Sequence, residues 1–340
     1  MAEAWFQLSR QDQSEALEVA AARLGRPAHL LEKDIWLVWA LSAIYDSPLN
    51  KKLTFKGGTS LSKVYRIIER FSEDVDLTYD IRELVPDLLK EGNPIPTSGS
   101  QERRISREVR KRLPIWIKAQ VIPILQAALE KFNLNAALEI SGRENEKLLI
   151  NYPVIKTGTG YAAPSILLEF GARATGEPHQ AYSVVSDIAS IIAGVQFPTA
   201  RPIVMSAERT FWEKATAIHV YCLQGRLRGE RYSRHWYDLV ALSRSEFFTS
   251  AMKDLPLARQ VAEHKSVFFS ENDSQGNKIN YVEAIAGKLQ LVPTGASLDA
   301  LERDYSAMLS DGLLPSGQPD FTNIIRHCRD IEFRVNSSLR

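Results

Sequence analysis

The sequence predicts an α+β protein, with a mixed-sheet domain over residues 1–200 that includes N-terminal helices and a mainly helical domain over 201–340. Three observations carry this expectation. Leu53 and Phe55 alternate as in a strand and lead into Gly57 and Gly58, a helical run, and a second short strand ending at Leu77. Strand-like runs recur at 137–141, 147–155 and 165–170. Beyond Pro202, apolar residues return every three or four positions, as on one helical face.

Composition narrows the function classes. The chain has 340 residues, 44% hydrophobic and 24% charged, which suits one large or two modest domains. A formal net charge of +1 provides no global basic field, so any nucleic-acid site has to be local. Cys222 and Cys328 lie far apart in sequence and lack zinc-ligand spacing, which suits a reducing cytosol. No basic segment followed by an apolar run opens the chain, and no window reaches 18 uninterrupted apolar residues. A cytoplasmic protein with no membrane partner is expected.

Residues 11–23 and 30–46 are expected to be helical. The second helix carries Leu31, Ile35, Val38, Trp39, Leu41 and Ile44 on a broad apolar face, and Lys33 and Asp34 read as a surface ion pair near its start. The rest of the chain is organised around the stretch KGGTSLSKVYRIIERFSEDVDL, 56–77. On a strand, Asp74 and Asp76 point the same way, roughly 6 to 7 Å apart. Such a pair suits Mg²⁺ and phosphoryl or nucleotidyl transfer, because hard cations take carboxylate and phosphate oxygens. Gly57 and Gly58 let the backbone approach a ligand, the following helix start offers N–H groups to an anion, and Thr59 or Ser60 stands ready to contact a triphosphate. The spacing excludes a GxxxxGK[ST] loop and a GxGxxG dinucleotide site.

After the loop at 92–100, helix is expected over 102–131. Arg103, Arg104, Arg107, Arg110, Lys111, Arg112 and Lys118 crowd its first half, either as a solvated face or as an RNA-binding surface. In the strand SILLEF, Glu169 is a carboxylate among apolar residues, either a third metal-supporting acid or an edge residue pairing with Arg173. In the first helix of the second domain Ser206 is the expected N-cap, Phe211, Ala215, Ile218 and Cys222 form the stripe, and Lys214 borders it. In the next helix Arg234 and Asp238 stand four apart, the spacing of an ordinary ion pair, and His235 reads as structural. Further helices are expected near 249–264, 298–310 and 319–336, with a loop at 271–280.

These residues also carry a resemblance. FKGGTSLSKVYRIIERFSEDVDL resembles the first two motifs of the AbiEii/AbiGii-type nucleotidyltransferase toxins, the enzymatic half of bacterial toxin–antitoxin and phage-defence (abortive infection) pairs. The resemblance extends upstream to EKDIWLVWALSAIY and downstream to TFWEKATAIH, RYSRHWYDLVAL, HKSVFF and LERDYSAM. It implies a nucleotidyltransferase-like sheet domain and Mg²⁺-dependent transfer of NMP from an NTP to RNA, with the tRNA 3′ end as acceptor. It also implies a cognate antitoxin partner.

By the same resemblance, Asp74 and Asp76 are catalytic and hold the metal with support from Glu169. Lys56, Gly57, Gly58, Thr59, Ser60, Lys63 and Ser72 surround the nucleotide, and an RNA acceptor would meet Arg103, Arg107 and Lys111, which are singled out by the density of positive charge there. Lys214 contacts phosphates and Asp238 serves as a base or orients Lys214, both in the cleft of Asp74, while Asp304 and Tyr305 line a groove. Transfer to a protein, or a non-catalytic nucleotide-sensing or RNA-binding module, are the alternatives.

Overall fold

The structure, a computed structural model, describes residues 3–158, 163–227, 231–310, 313–315 and 317–339. Its organising element is a strand whose side chains alternate between the core and a half-buried face. In that strand, β2 below, Val75 and Leu77 are fully buried and Asp74 and Asp76 are not. The strands β1 (Leu53–Lys56), β2 (Asp74–Tyr79), β3 (Ala137–Ser141), β4 (Lys147–Asn151), β5 (Ser165–Gly171), β6 (His179–Ala181) and β7 (Ile203–Met205) form one mixed sheet in the order β3-β4-β5-β2-β1-β7-β6. β2 pairs antiparallel with β1 and parallel with β5, and β4 runs antiparallel to both β3 and β5. The strand expected to reach residue 155 stops at Asn151, just before Pro153, which has no N–H to donate to a ladder.

The longer helices that precede or interrupt the sheet are α1 (Arg10–Leu24), α2 (Ala28–Tyr45), α3 (Gly57–Lys63), α4 (Gly99–Trp116) and α5 (Ile122–Lys131), with a single helical turn at Ile81–Leu84 besides. α2 is buried on nearly every side, and its Trp36 stacks on Tyr152 with ring centroids 5.3 Å apart. The buried residues of α4 and α5, Ile105, Val109, Leu113, Ile117, Val121, Leu125 and Leu129, recur every fourth position through a single π turn at Ile117–Val121. A straight α-helix turns such a row away by about 40° per step, and the wider π turn takes up part of that drift.

The chain divides into two compact units. The first, residues 1–65, 71–94 and 103–205, contains the sheet. The second, 66–70, 95–102 and 206–340, is helical: α6 (Ala207–Gln224), α7 (Ser233–Ser243), α8 (Glu246–Lys253), α9 (Leu255–Phe268), α10 (Ala296–Ser310) and α11 (Phe321–Ser338). α6 starts as expected, with Ser206 Oγ accepting from the Arg209 amide at 3.2 Å, and stops at Gly225 in the left-handed conformation. The single helix expected at 249–264 is two, because Asp254 caps a new helix whose second residue is Pro256. No helix among the described residues is long and apolar enough to cross a membrane.

Inside the second unit an extended segment, 289–291, has its backbone satisfied by side chains. Asn336 Oδ1 accepts from the Leu289 amide at 2.8 Å, His219 Nδ1 from Gln290 at 3.1 Å, and Glu332 Oε2 from Leu291 at 2.7 Å. Trp236 Nε1 donates to the Leu291 carbonyl at 2.8 Å. His219 can accept only while neutral, and burial pushes its pKa down to about 4. Since this lies below the ordinary value of about 6.5, the stabilisation is full above about pH 6.5 and is lost as pH falls towards about 4. Thermal unfolding followed from pH 7 to 4 should show a declining Tm, and His219→Asn should have a lower Tm at pH 7 with a shallower acid decline.

Candidate functional site

The glycine turn and β2 are fitted to each other. Gly57 has φ +79°, and a Cβ placed there would lie 2.0 Å from Asp76 Oδ2. Only glycine permits both the backbone angle and this approach, so the Asp76 carboxylate lies over the turn. Thr59 Oγ1 donates to Ser72 Oγ at 2.9 Å and also contacts the Asp74 carbonyl, and Ser60 Oγ donates to the Gly57 carbonyl at 2.9 Å. Thr59 and Ser60 are fully buried. Thr59 thus ties the turn to the start of β2, and Ser60 closes the turn on itself.

The half-buried face of the sheet carries a line of charge. Lys56 on β1 is opposite Asp76 on β2, Asp76 is opposite Glu169 on β5, and Glu169 is opposite Lys147 on β4. Glu169 corrects the alternative of an edge residue paired with Arg173. It lies on an interior strand, 43% exposed at its side chain, and its Oε2 is 2.8 Å from Lys147 Nζ. Burial pulls the Lys147 ammonium down, but Glu169, Glu146 and Asp74 outweigh it and raise the pKa. Among the described residues no three His, Cys, Asp or Glu side chains come together in a way that could hold a metal ion. The Asp74/Asp76 pair still fits Mg²⁺, which is commonly held by one or two carboxylates with substrate phosphates and water completing the shell.

Lys63, expected at the nucleotide, has its ammonium 2.5 Å from Asp34 Oδ1 and 2.7 Å from Asp187 Oδ1, with its side chain 6% exposed. The helical run expected between the glycine turn and the next strand ends at Lys63, and Arg66 adopts φ +52°. Lys33 and Asp34 are no surface pair. Both are buried, with Lys33 Nζ donating to Glu73 Oε2 at 3.0 Å and to the Ala163 carbonyl at 2.8 Å. Asp34 accepts from Ser186 Oγ at 2.9 Å and the Asp187 amide at 2.7 Å, besides Lys63. Burial pushes the Asp34 pKa up, whereas Lys63 and Arg26 hold Asp187 below its usual range against burial. Of the basic residues on α4, Arg110 pairs with Glu144 at 3.2 Å and Arg112 with Asp87 at 2.6 Å. Arg103, Arg107 and Lys111 are exposed and make no ion pair among the described residues.

The second unit has its own charged centre. Asp238 is fully buried, with Oδ1 2.6 Å from Arg70 Nε and Oδ2 2.8 Å from both Arg70 Nη2 and Lys214 Nζ. Burial raises its pKa, but the two cations more than cancel that and hold it well below the carboxylate range. Such a carboxylate is a poor general base. Its ion pair with Lys214 fixes where that ammonium lies. Burial, then Lys214, pushes His235 down to about 3, so its ring stays neutral. Asp304 and Tyr305, expected to line a groove, both have hydrogen-bond partners within the second unit. Asp304 accepts from the Arg231 and Ser233 amides at 2.6 and 2.7 Å, and buried Tyr305 donates to the Pro319 carbonyl at 2.6 Å.

Sequence reasoning missed Lys147 and Arg70. Lys147 had a signal, since it alternates with buried Leu148 and so shares its strand's half-buried face with Leu149 and Asn151. Arg70 had none, because its partner is 168 residues away.

A carboxylate pair on one sheet face, set against a glycine turn that opens a helix, defines a class of phosphate-handling centre. The comparisons give that class a family. Residues 39–327 match the family described as "Nucleotidyl transferase AbiEii toxin, Type IV TA system", and the chain belongs to it. It is thus a toxin nucleotidyltransferase of a toxin–antitoxin family. No curated protein matches the chain. Among solved structures, it is similar to MenT4, a nucleotidyltransferase toxin from Mycobacterium tuberculosis H37Rv, at 16% identity and TM-score 0.44, covering 98% of this chain and 99% of that one. JHP933 from Helicobacter pylori matches at 15% identity and TM-score 0.43, covering 91% and 93%.

Removing the Asp238 charge should leave Arg70 and Lys214 buried without their counterion. Asp238→Asn should therefore cost about 3–5 kcal/mol of stability. Urea unfolding beside the unaltered protein checks this, and an unchanged midpoint would contradict the burial of this centre.

Proposed function

We propose that the protein transfers a nucleoside monophosphate from an NTP to an RNA acceptor, the 3′ end of tRNA, and thereby blocks translation. The observation that carries this reading is the Asp74/Asp76 pair facing one way beside Gly57. In this reading Asp74 and Asp76 hold Mg²⁺. The ion, when bound, neutralises charge on the phosphates and polarises them towards attack. Gly57 and Gly58 supply close backbone approach, and half-buried Lys56 lies across the ladder from Asp76, within the field of an incoming triphosphate. The chain's contribution is position and electrostatics, with no covalent intermediate required. Lys214, oriented by Asp238, is assigned to phosphate contact on the strength of the resemblance. The acceptor assignment has two supports, the same resemblance and the unpaired Arg103, Arg107 and Lys111, which suit a phosphate backbone. A cytoplasmic location and a cognate antitoxin complete the reading.

The test is incubation of the purified protein with total RNA, Mg²⁺ and each labelled NTP in turn. Label should appear on small RNA, and Asp76→Asn should abolish it, a loss of about 10³ or more, while the melting temperature holds. Full labelling by that variant would remove the carboxylate pair from the chemistry.

Replacing Arg103, Arg107 and Lys111 together by Ala should weaken RNA binding and flatten its dependence on salt. About three fewer released counterions would lower the log–log slope by about 2 to 3. A slope equal to that of the unaltered protein returns these residues to ordinary solvated charge.

A further inference from the structure

Asp76 and Glu169 hold register-paired positions on neighbouring parallel strands, where backbones run about 4.8 Å apart. Both emerge on the half-buried face, so a shared metal site is sterically simple. Their carboxylates nevertheless turn apart. Asp76 lies over Gly57 on the β1 side, and Glu169 reaches the opposite way to Lys147 on β4 at 2.8 Å. No three-acid cluster forms among the described residues, although three acids are within one or two ladder positions of one another.

The Lys147–Glu169 pair differs in kind from the ion pairs beneath it. Its side chains are 30% and 43% exposed, against 6% and 2% for Lys63 and Asp34. A pair so open to solvent is held weakly and exchanges readily, above all for a phosphate, which carries more charge than a carboxylate. Lys147 also lies in the field of Asp74, so it faces the same chemistry.

We propose that Lys147 is a positioning residue that withholds Glu169 from Asp74 and Asp76, and that an acceptor phosphate reaching this face takes the lysine and releases Glu169 as a third metal ligand. The proposal rests on the reading that Asp74 and Asp76 hold a divalent ion. It makes completion of the metal site depend on arrival of the acceptor, which limits idle NTP hydrolysis.

Mn²⁺ titration followed by electron paramagnetic resonance tests this without turnover, with circular dichroism as the check on folding. Lys147→Met should bind Mn²⁺ about tenfold tighter than the unaltered protein, and Lys147→Arg should not. Lys147→Met/Glu169→Gln should lose the gain. The gain should persist at about 0.5 M salt, where mere removal of a positive charge is screened. A short oligoribonucleotide, with Mn²⁺ bound by the RNA alone subtracted, should tighten binding in the unaltered protein and add nothing in Lys147→Met. An unchanged affinity in Lys147→Met, a gain that vanishes in salt, or an oligonucleotide without effect overturns the proposal. An Asp76→Ala variant that binds Mn²⁺ normally would instead overturn the metal reading beneath it.

Discussion

Three consecutive charged residues on α2, Glu32, Lys33 and Asp34, are buried in the first unit, and the geometry of the sheet's working face depends on them. Each fastens a different segment. Glu32 accepts from the Ile155 and Lys156 amides at 2.8 and 2.9 Å, Lys33 holds Glu73, and Asp34 holds Lys63 and the Asp187 amide. Glu73 directly precedes Asp74, and Lys63 ends the helix opened by the glycine turn. Buried ion pairs gain little net stability over apolar packing, since desolvation offsets attraction, but breaking one is costly. Their effect here is to fix position: the carboxylate face cannot shift along β2 without stripping a buried charge of its partner.

The second unit uses the same physics at Asp238, with a different consequence. A carboxylate between an arginine and a lysine stays ionised at any working pH, so it cannot shuttle protons. Lys214 gains a fixed direction from it, with its side chain 11% exposed. The unpaired buried Nδ1 of His235 borders this centre, and its neutrality spares the site a third positive charge.

Much of the fold was legible because its signals are local. Strand alternation in residues 74–77, the Ser206 cap and the stripes of α2 and α6 repeat within a few residues, and the structure keeps them. The carboxylate pair was legible for the same reason. The length of α3 was not, since Val64, Ile67, Ile68 and Phe71 have helical spacing, yet the chain there is irregular and buries Ile68, Arg70 and Phe71. The partners of the charged residues were illegible as well. Lys33 and Glu73 are 40 residues apart and Lys63 and Asp187 are 124, and no periodicity links such positions. Lys63 was expected among the residues around the nucleotide because it lies in the stretch that carries the resemblance. Here two acids from distant segments already occupy it.

The contact between Gly57 and Asp76 bears on how such a toxin can be handled. A single methyl group at residue 57 occupies the volume of the Asp76 carboxylate while leaving both aspartates, the basic face of α4 and the whole helical unit chemically intact. A chain altered this way would keep its native surface charge, which carboxylate replacements do not, and so would separate the effect of where the Asp76 carboxylate lies from the effect of its charge.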